Sequence, residues 1–258
     1  MNPYQPIMKS FVALILISIF FLQCEKDSSN SFSASAASQT AGAGGSLARF
    51  AIAGDYLYSV DEQQLKVFDI TNPADPTLKQ TVDIGFAIET IFPFKDKLFI
   101  GSTSQVYIYS IANPASPQKM GTAISPEVLR RCDPVVAKDT VAFATLRTNG
   151  PCGGTQSILA VYDVKDVTKP VQRAVYPVSE PYGLGYANDV LYVCDRQAGL
   201  IALDISKPYQ PTFIKSLKDG TYIDVIPYQN TLICWVTNGM ILYDITNNRN
   251  PVLLAKIN

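Results

Sequence analysis

Five times in 258 residues an apolar run ends in one two-residue mark. The marks are Asp69-Ile70, Ser110-Ile111, Asp163-Val164, Asp204-Ile205 and Asp244-Ile245, and a proline stands seven residues after the first residue of each: Pro76, Pro117, Pro170, Pro211 and Pro251. Three copies carry a second proline at the fourth place, Pro73, Pro114 and Pro208, where Val167 and Asn248 stand in the others. A fixed offset recurring with a period near forty restricts the chain to a stack or ring of one small unit. The marks are 41, 53, 41 and 40 residues apart, which places an insertion of about a dozen residues in the third copy.

Each unit divides into four short segments of β-branched and aromatic residues separated by turn clusters, and none keeps a helical period. In the first unit these are Ala48 to Ala53, Tyr56 to Val60, Leu65 to Ile70 and Leu78 to Ile84. Four strands per forty residues is the blade of a propeller. The predicted fold is therefore all-β: a β-propeller of five blades of four antiparallel strands, with units at about 47–85, 86–125, 126–179, 180–220 and 221–258. The first unit begins with its first strand and the last ends with its fourth, so the ring is expected to close by side-to-side packing of complete blades. An aspartate or serine that closes a strand just before a proline turn accepts hydrogen bonds from the turn's amides, which makes the marks structural.

The strands before the marks read Leu65-Lys66-Val67-Phe68-Asp69, Leu159-Ala160-Val161-Tyr162-Asp163, Leu200-Ile201-Ala202-Leu203-Asp204 and Met240-Ile241-Leu242-Tyr243-Asp244. This pattern resembles the LVIVD repeat family, and the resemblance runs over residues 47–258. It implies an exported bacterial or archaeal protein with a propeller-like fold, and it carries over no shared catalytic residue.

The N-terminus points to export. Phe11 to Leu22 is apolar except for Ser18, follows Lys9, and is shorter than the roughly twenty residues that span a bilayer. Phe21-Leu22-Gln23-Cys24 resembles a lipobox, with Phe21 and Gln23 where Leu and a small residue are usual. Residues 1–23 are accordingly expected to be a lipoprotein signal peptide, and Cys24 the lipid-bearing (palmitate-type) first residue of the mature chain. Residues 24–46, rich in Ser, Ala and Gly, cannot bury enough to order themselves. As a coil this segment spans about 25 Å, a tether that lifts a domain off a membrane. The expected location is the bacterial cell envelope, with the outer membrane favoured and the periplasmic or surface side left open.

The remaining cysteines divide by position. Cys152 lies in the third-copy insertion and Cys132 in the entry to the same blade, and in an oxidising compartment the two are expected to form a disulfide, worth roughly 3 kcal/mol. Cys194 and Cys234 sit in second strands of adjacent blades, on opposite faces of their own sheets, and are expected to be buried free thiols. No metal or other cofactor is expected, since the chain has no histidine and no closely paired cysteines.

The missing histidine also removes Ser-His-Asp and imidazole acid–base schemes. With a net charge of −1, nucleic acid is not an expected partner. Carboxylates remain. Equal counting from the second strands places Arg49, Thr90, Asp133, Gly183 and Asp224 at equivalent positions around a channel mouth, with Glu89 beside them. The residues expected to line that mouth are Arg49, Glu89, Asp133 and Asp224. The second-to-third-strand hairpins vary among copies and share one face of the disc, whereas the mark-to-proline turns are uniform. Variable loops on a rigid frame are where recognition sits. The expected function is thus a non-catalytic binding or scaffolding propeller for a protein or glycan ligand, attached to the membrane by its lipid. The competing reading is an envelope hydrolase or lyase that uses the mouth carboxylates.

Overall fold

The computed structural model describes residues 45–125, 134–148 and 156–258. The signal, the tether up to residue 44, Cys24, Asp133 and the Cys132–Cys152 pair lie outside the described residues, whereas the last two residues of the expected tether, Gly45 and Ser46, are buried in the folded domain because Ser46 bonds to Asp224 and Leu184. Among the described residues twenty strands form five separate four-stranded sheets, each an antiparallel meander. The first blade holds β1 (Phe50–Ala53), β2 (Tyr56–Val60), β3 (Gln64–Asp69) and β4 (Thr77–Asp83). The second holds β5 (Ile88–Phe94), β6 (Lys97–Ser102), β7 (Gln105–Ser110) and β8 (Gln118–Ile124). The third holds β9 (Val135–Lys138), β10 (Val141–Leu146), β11 (Ile158–Asp163) and β12 (Val171–Pro177). The fourth holds β13 (Pro181–Ala187), β14 (Val190–Asp195), β15 (Gly199–Asp204) and β16 (Thr212–Leu217). The fifth holds β17 (Tyr222–Tyr228), β18 (Thr231–Val236), β19 (Gly239–Asp244) and β20 (Val252–Ile257). This is the predicted five-bladed β-propeller.

All five marks cap their turns. The amides of Thr71, Lys165, Ser206 and Thr246 donate to Oδ1 of Asp69, Asp163, Asp204 and Asp244 at 2.7–3.0 Å, and Ala112 N donates to Ser110 Oγ at 3.2 Å. These hydrogen bonds, together with Lys79 beside Asp69 and Arg249 beside Asp204, hold both carboxyls down to about 2. The second residue of each mark ties the turn to its own sheet. The amides of Ile70, Ile111, Val164, Ile205 and Ile245 donate to carbonyls of the first hairpin turn, at Asp55, Asp96, Thr140, Asp189 and Asn230. Because the acceptor is side-chain oxygen, serine serves in the second blade as aspartate does elsewhere.

The blades cohere through apolar seams. The third residue of each second strand faces the next blade: Tyr58, Phe99, Phe143 and Tyr192 are buried in the cores of the successive seams. The residue before it, Leu98, Ala142, Leu191 and Leu232, faces the preceding blade within the same four cores. Each fully buried side chain of this size contributes ~1.5–3 kcal/mol, so the seams hold the array together. Two of them add a polar latch, since Tyr58 donates to Pro114 O at 2.9 Å and Tyr192 to Asn248 O at 2.5 Å, across to the uniform turn of the next blade. Cys194 and Cys234 are buried free thiols, as expected. On opposite faces of adjacent sheets, they meet in the one core between blades four and five.

Closure differs from expectation. Among the described residues no apolar core joins the fifth blade to the first. The link is polar and near the axis: the segment entering β1 runs against blades four and five, where Ser46 Oγ donates to Asp224 Oδ1 (3.2 Å), Leu47 N to Asp224 Oδ2 (3.3 Å) and Leu184 N to Ser46 Oγ (2.7 Å).

Candidate functional site

The innermost strands of three blades carry a bulge near their start, between Ile88 and Thr90, Pro181 and Leu184, and Tyr222 and Asp224. A bulge re-aims the extra side chain, and here it sets Glu89 and Tyr182 at the mouth on the variable face. The hairpins after β10 and β14 open on the same side and bring Arg147 and Arg196 to Tyr182. The two guanidinium carbons lie 3.9 and 4.0 Å from its ring centroid. Two like charges this close to one ring take opposite faces, so Tyr182 is sandwiched between them.

The sandwich is held from behind. Thr145 Oγ1 donates to Tyr182 O at 2.8 Å, fixing the bulge to blade three. Asp195, fully buried at the end of β14, accepts four backbone N–H groups: Ser179 (2.7 Å) and Glu180 (3.0 Å) on Oδ2, Gln197 (2.9 Å) and Ala198 (2.7 Å) on Oδ1. It thereby locks the blade-entry link to the hairpin that presents Arg196. Arg196 in turn pairs with Glu180 at 3.8 Å. Arg147 is held differently: its Nε and Nη1 are buried and have no hydrogen-bond partner among the described residues. Burial pushes the Glu89 carboxyl up, and the nearby Arg147 and Arg49 oppose that rise.

Of the four expected mouth residues, the structure brings Arg49 and Glu89 near one another. Arg49 is exposed at the start of the first blade, and Glu89 is half-buried at its bulge. Asp133 lies outside the described residues. The strand position aligned with Thr90 and Asp224 is occupied in the third blade by Pro134, whose carbonyl accepts Thr145 N, so equal counting slips by one there. Asp224 is buried, and its carboxylate is taken up by Ser46, Leu47 and Val225 N. Gly183 and Gly45 leave room for it: a Cβ on either would stand 2.0 and 2.1 Å from its oxygens.

Burial pushes the Asp224 carboxyl up to about 6 although its donors pull it down. An ordinary carboxyl titrates near ~3.9, so the folded state holds the proton more tightly than the unfolded one. The stability this group supplies is present in full below about pH 4 and is lost as pH rises through 6, up to ~3 kcal/mol in all. The expected result is that wild type loses stability relative to Asp224→Asn between pH 4 and 8. Urea midpoints of the two proteins across that range check it, and parallel curves would contradict it.

Sequence reading places Arg147 and Arg196 in the variable hairpins of the binding face and Tyr182 on a surface, but not that the three meet; Asp195 and Ser46 it misses. One signal is present: Ser102 and Asp195 end a second strand and Asp61 directly follows one, and each accepts the amides of its own hairpin. The uniform face carries a cleft of about 710 Å³ between blades one and two, lined by Asp55, Tyr56, Lys95, Asp96 and Pro114. A smaller one of about 190 Å³ lies at the equivalent turns of blades three and four, which marks both as products of the repeat. Among the described residues no cluster of Cys, Asp and Glu is arranged to hold a metal.

Seams, caps and a polar mouth together define a β-propeller of repeated blades. The LVIVD repeat family matches residues 44–84 and 185–219, so the chain carries LVIVD repeats, in its first and fourth blades. Direct sequence comparison with curated proteins gives no match. Among solved structures, the periplasmic gluconolactonase of Pseudomonas aeruginosa is similar (TM-score 0.60, 13% identity, 79% of this chain and 67% of that one). So is the computationally designed protein Ika8 (TM-score 0.58, 13% identity, 81% of this chain), of whose length the present chain spans 60%. A chain of the nidogen/laminin complex is a third (TM-score 0.52, 14% identity, 79% and 74%). At these identities the likeness shows the fold alone.

Proposed function

We propose that the chain is a non-catalytic binding propeller of the bacterial cell envelope, held to the membrane by a lipid on Cys24. It recognises a protein or glycan ligand through an oxyanion, such as a carboxylate, that docks at the mouth on the variable face. The observation that carries this reading is Arg147: a half-buried guanidinium, stacked on Tyr182, whose Nε and Nη1 are buried with no acceptor among the described residues. Leaving such groups unmade costs about 1–3 kcal/mol each, a cost that an oxyanion entering beside Tyr182 removes once the Arg147 side chain shifts to meet it. Against carboxylate catalysis stands Asp224, whose oxygens are engaged by the chain's own donors.

Thermal unfolding of the full-length chain with D-glucuronate, citrate or sulfate, against D-glucose, tests the proposal. The oxyanions are expected to raise the midpoint, by the equivalent of ~2.7 kcal/mol at a hundredfold excess over Kd. Arg147→Gln is expected to abolish the rise while changing ligand-free stability by no more than about 1 kcal/mol. An equal response to glucose, or a response that survives in Arg147→Gln, would overturn it.

A further inference from the structure

The innermost strand of a blade turns one edge to the axis, so its inward N–H groups have no strand to pair with and, once buried, must find another acceptor. Three of them stand at equivalent positions, on Ile91, Leu184 and Val225, each residue no more than 1% exposed. All three are satisfied through one short turn. Residues 45–48 reverse the chain, with Ala48 N donating to Gly45 O at 3.1 Å, and Ser46 within the turn is 1% exposed. Ile91 N donates to Ala48 O at 2.9 Å, and Leu184 N to Ser46 Oγ at 2.7 Å. Val225 N donates to Asp224 Oδ1 at 2.9 Å, and the same oxygen accepts Ser46 Oγ.

Closing the ring requires a bond only between blades one and five. The turn reaches blades two and four as well, and each time it lands at, or directly after, the end of a bulge: those ending at Thr90, Leu184 and Asp224. Two of these bulges aim Glu89 and Tyr182 at the mouth. Tyr182 is thus held from two sides. Thr145 Oγ1 donates to its carbonyl at 2.8 Å, and Ser46 fixes Leu184, two residues further on.

We infer that Ser46 is a positioning residue of the mouth: through Leu184 and Asp224 it sets the bulge that presents Tyr182 to Arg147 and Arg196. The inference rests on the reading of that mouth as an oxyanion site. A hydroxyl suits the task because it accepts from one strand and donates to the other at once, which neither alanine nor glycine can do. Without it Leu184 N loses its acceptor and Asp224 one of its donors, so β13 shifts against β17 and carries the Tyr182 ring off the centre of the two guanidinium groups.

Ser46→Ala in the full-length chain in detergent tests this with two readouts. The first is nuclear magnetic resonance of isotope-labelled tyrosine, in which the Tyr182 ring signal is the one absent from Tyr182→Phe. That signal is expected to move, while Tyr58 and Tyr162, in the first and second seams, keep theirs. The second is titration with D-glucuronate, whose Kd is expected to rise about fivefold, the size of one net hydrogen bond. A role in stability alone would move neither. Ser46→Cys, which keeps the size of the side chain with weaker hydrogen bonding, repeats both measurements should Ser46→Ala fail to fold by circular dichroism. A Tyr182 signal unmoved in the folded variant overturns the inference, and so does an unchanged Kd. If the wild-type chain binds no glucuronate, the ligand reading fails separately and the Tyr182 signal alone decides this inference.

Discussion

Gly183→Ala is expected to cost about 3 kcal/mol of stability, at the upper end for one added methyl in a packed site. The new Cβ would meet Asp224 Oδ1 at 2.0 Å, Cγ at 2.7 Å and Cα at 2.8 Å. Rotating the Asp224 side chain relieves the first two contacts and leaves the third, so β13 and β17 must move apart. That movement also breaks the Ser46 bridge, which receives Leu184 N and donates to Asp224. A Gly183→Ala, Asp224→Ala double variant is accordingly expected to recover only part of the loss. Urea unfolding of the single and double variants checks both statements. A cost below 1 kcal/mol for the single variant would mean that the close approach of blades four and five is wrong.

Asp195→Ala is expected to cost about 4 kcal/mol, because four backbone donors lose a charged acceptor at once and water reaches only some of them. Asp195→Asn keeps one carbonyl oxygen and should retain about half of the stability. The loss extends to the ligand site. Asp195 holds the amides of Glu180, Gln197 and Ala198, which flank Arg196, so its removal frees one side of the Tyr182 sandwich. Oxyanion affinity should then fall about tenfold under conditions where the variant is still folded, ~1.4 kcal/mol. Titration of the variant at low temperature measures this, and unchanged affinity would show that Arg147 works without Arg196.

Much of the fold was legible because its determinants are local. Each mark and its turn lie within eight residues, so the amide-to-Asp69 and amide-to-Ser110 caps could be read from the chain. The first unit's strands were placed within two residues of β1 to β4 for the same reason. Tyr58, Tyr107, Tyr109, Tyr162, Tyr192 and Tyr243 recur in strands, a pattern that reads as packing between blades, and all six are buried. The candidate site was far less legible, since it is assembled across blades. Arg147, Tyr182 and Arg196 come from two blades and meet through a bulge, a one-residue irregularity that shifts register without altering the spacing of the repeat. The third blade presents Pro134 at its mouth position, one residue from Asp133, and keeps its register there without a bulge. Asp224 reads as one of a ring of mouth residues until the neighbouring Gly183, Gly45 and Ser46 are seen to enclose it.

The central claim is that the variable face recognises and the uniform face supports. Amide hydrogen exchange of the full-length chain, with and without an oxyanion that raises its unfolding midpoint, tests this most directly. The account predicts added protection at Arg147–Thr148, Tyr182–Leu184 and Arg196–Ala198, with no change in the capped turns at Asn72–Asp75 and Asn247–Asn250. Protection confined to those turns, or to the cleft at Asp55, Lys95 and Asp96, would contradict it.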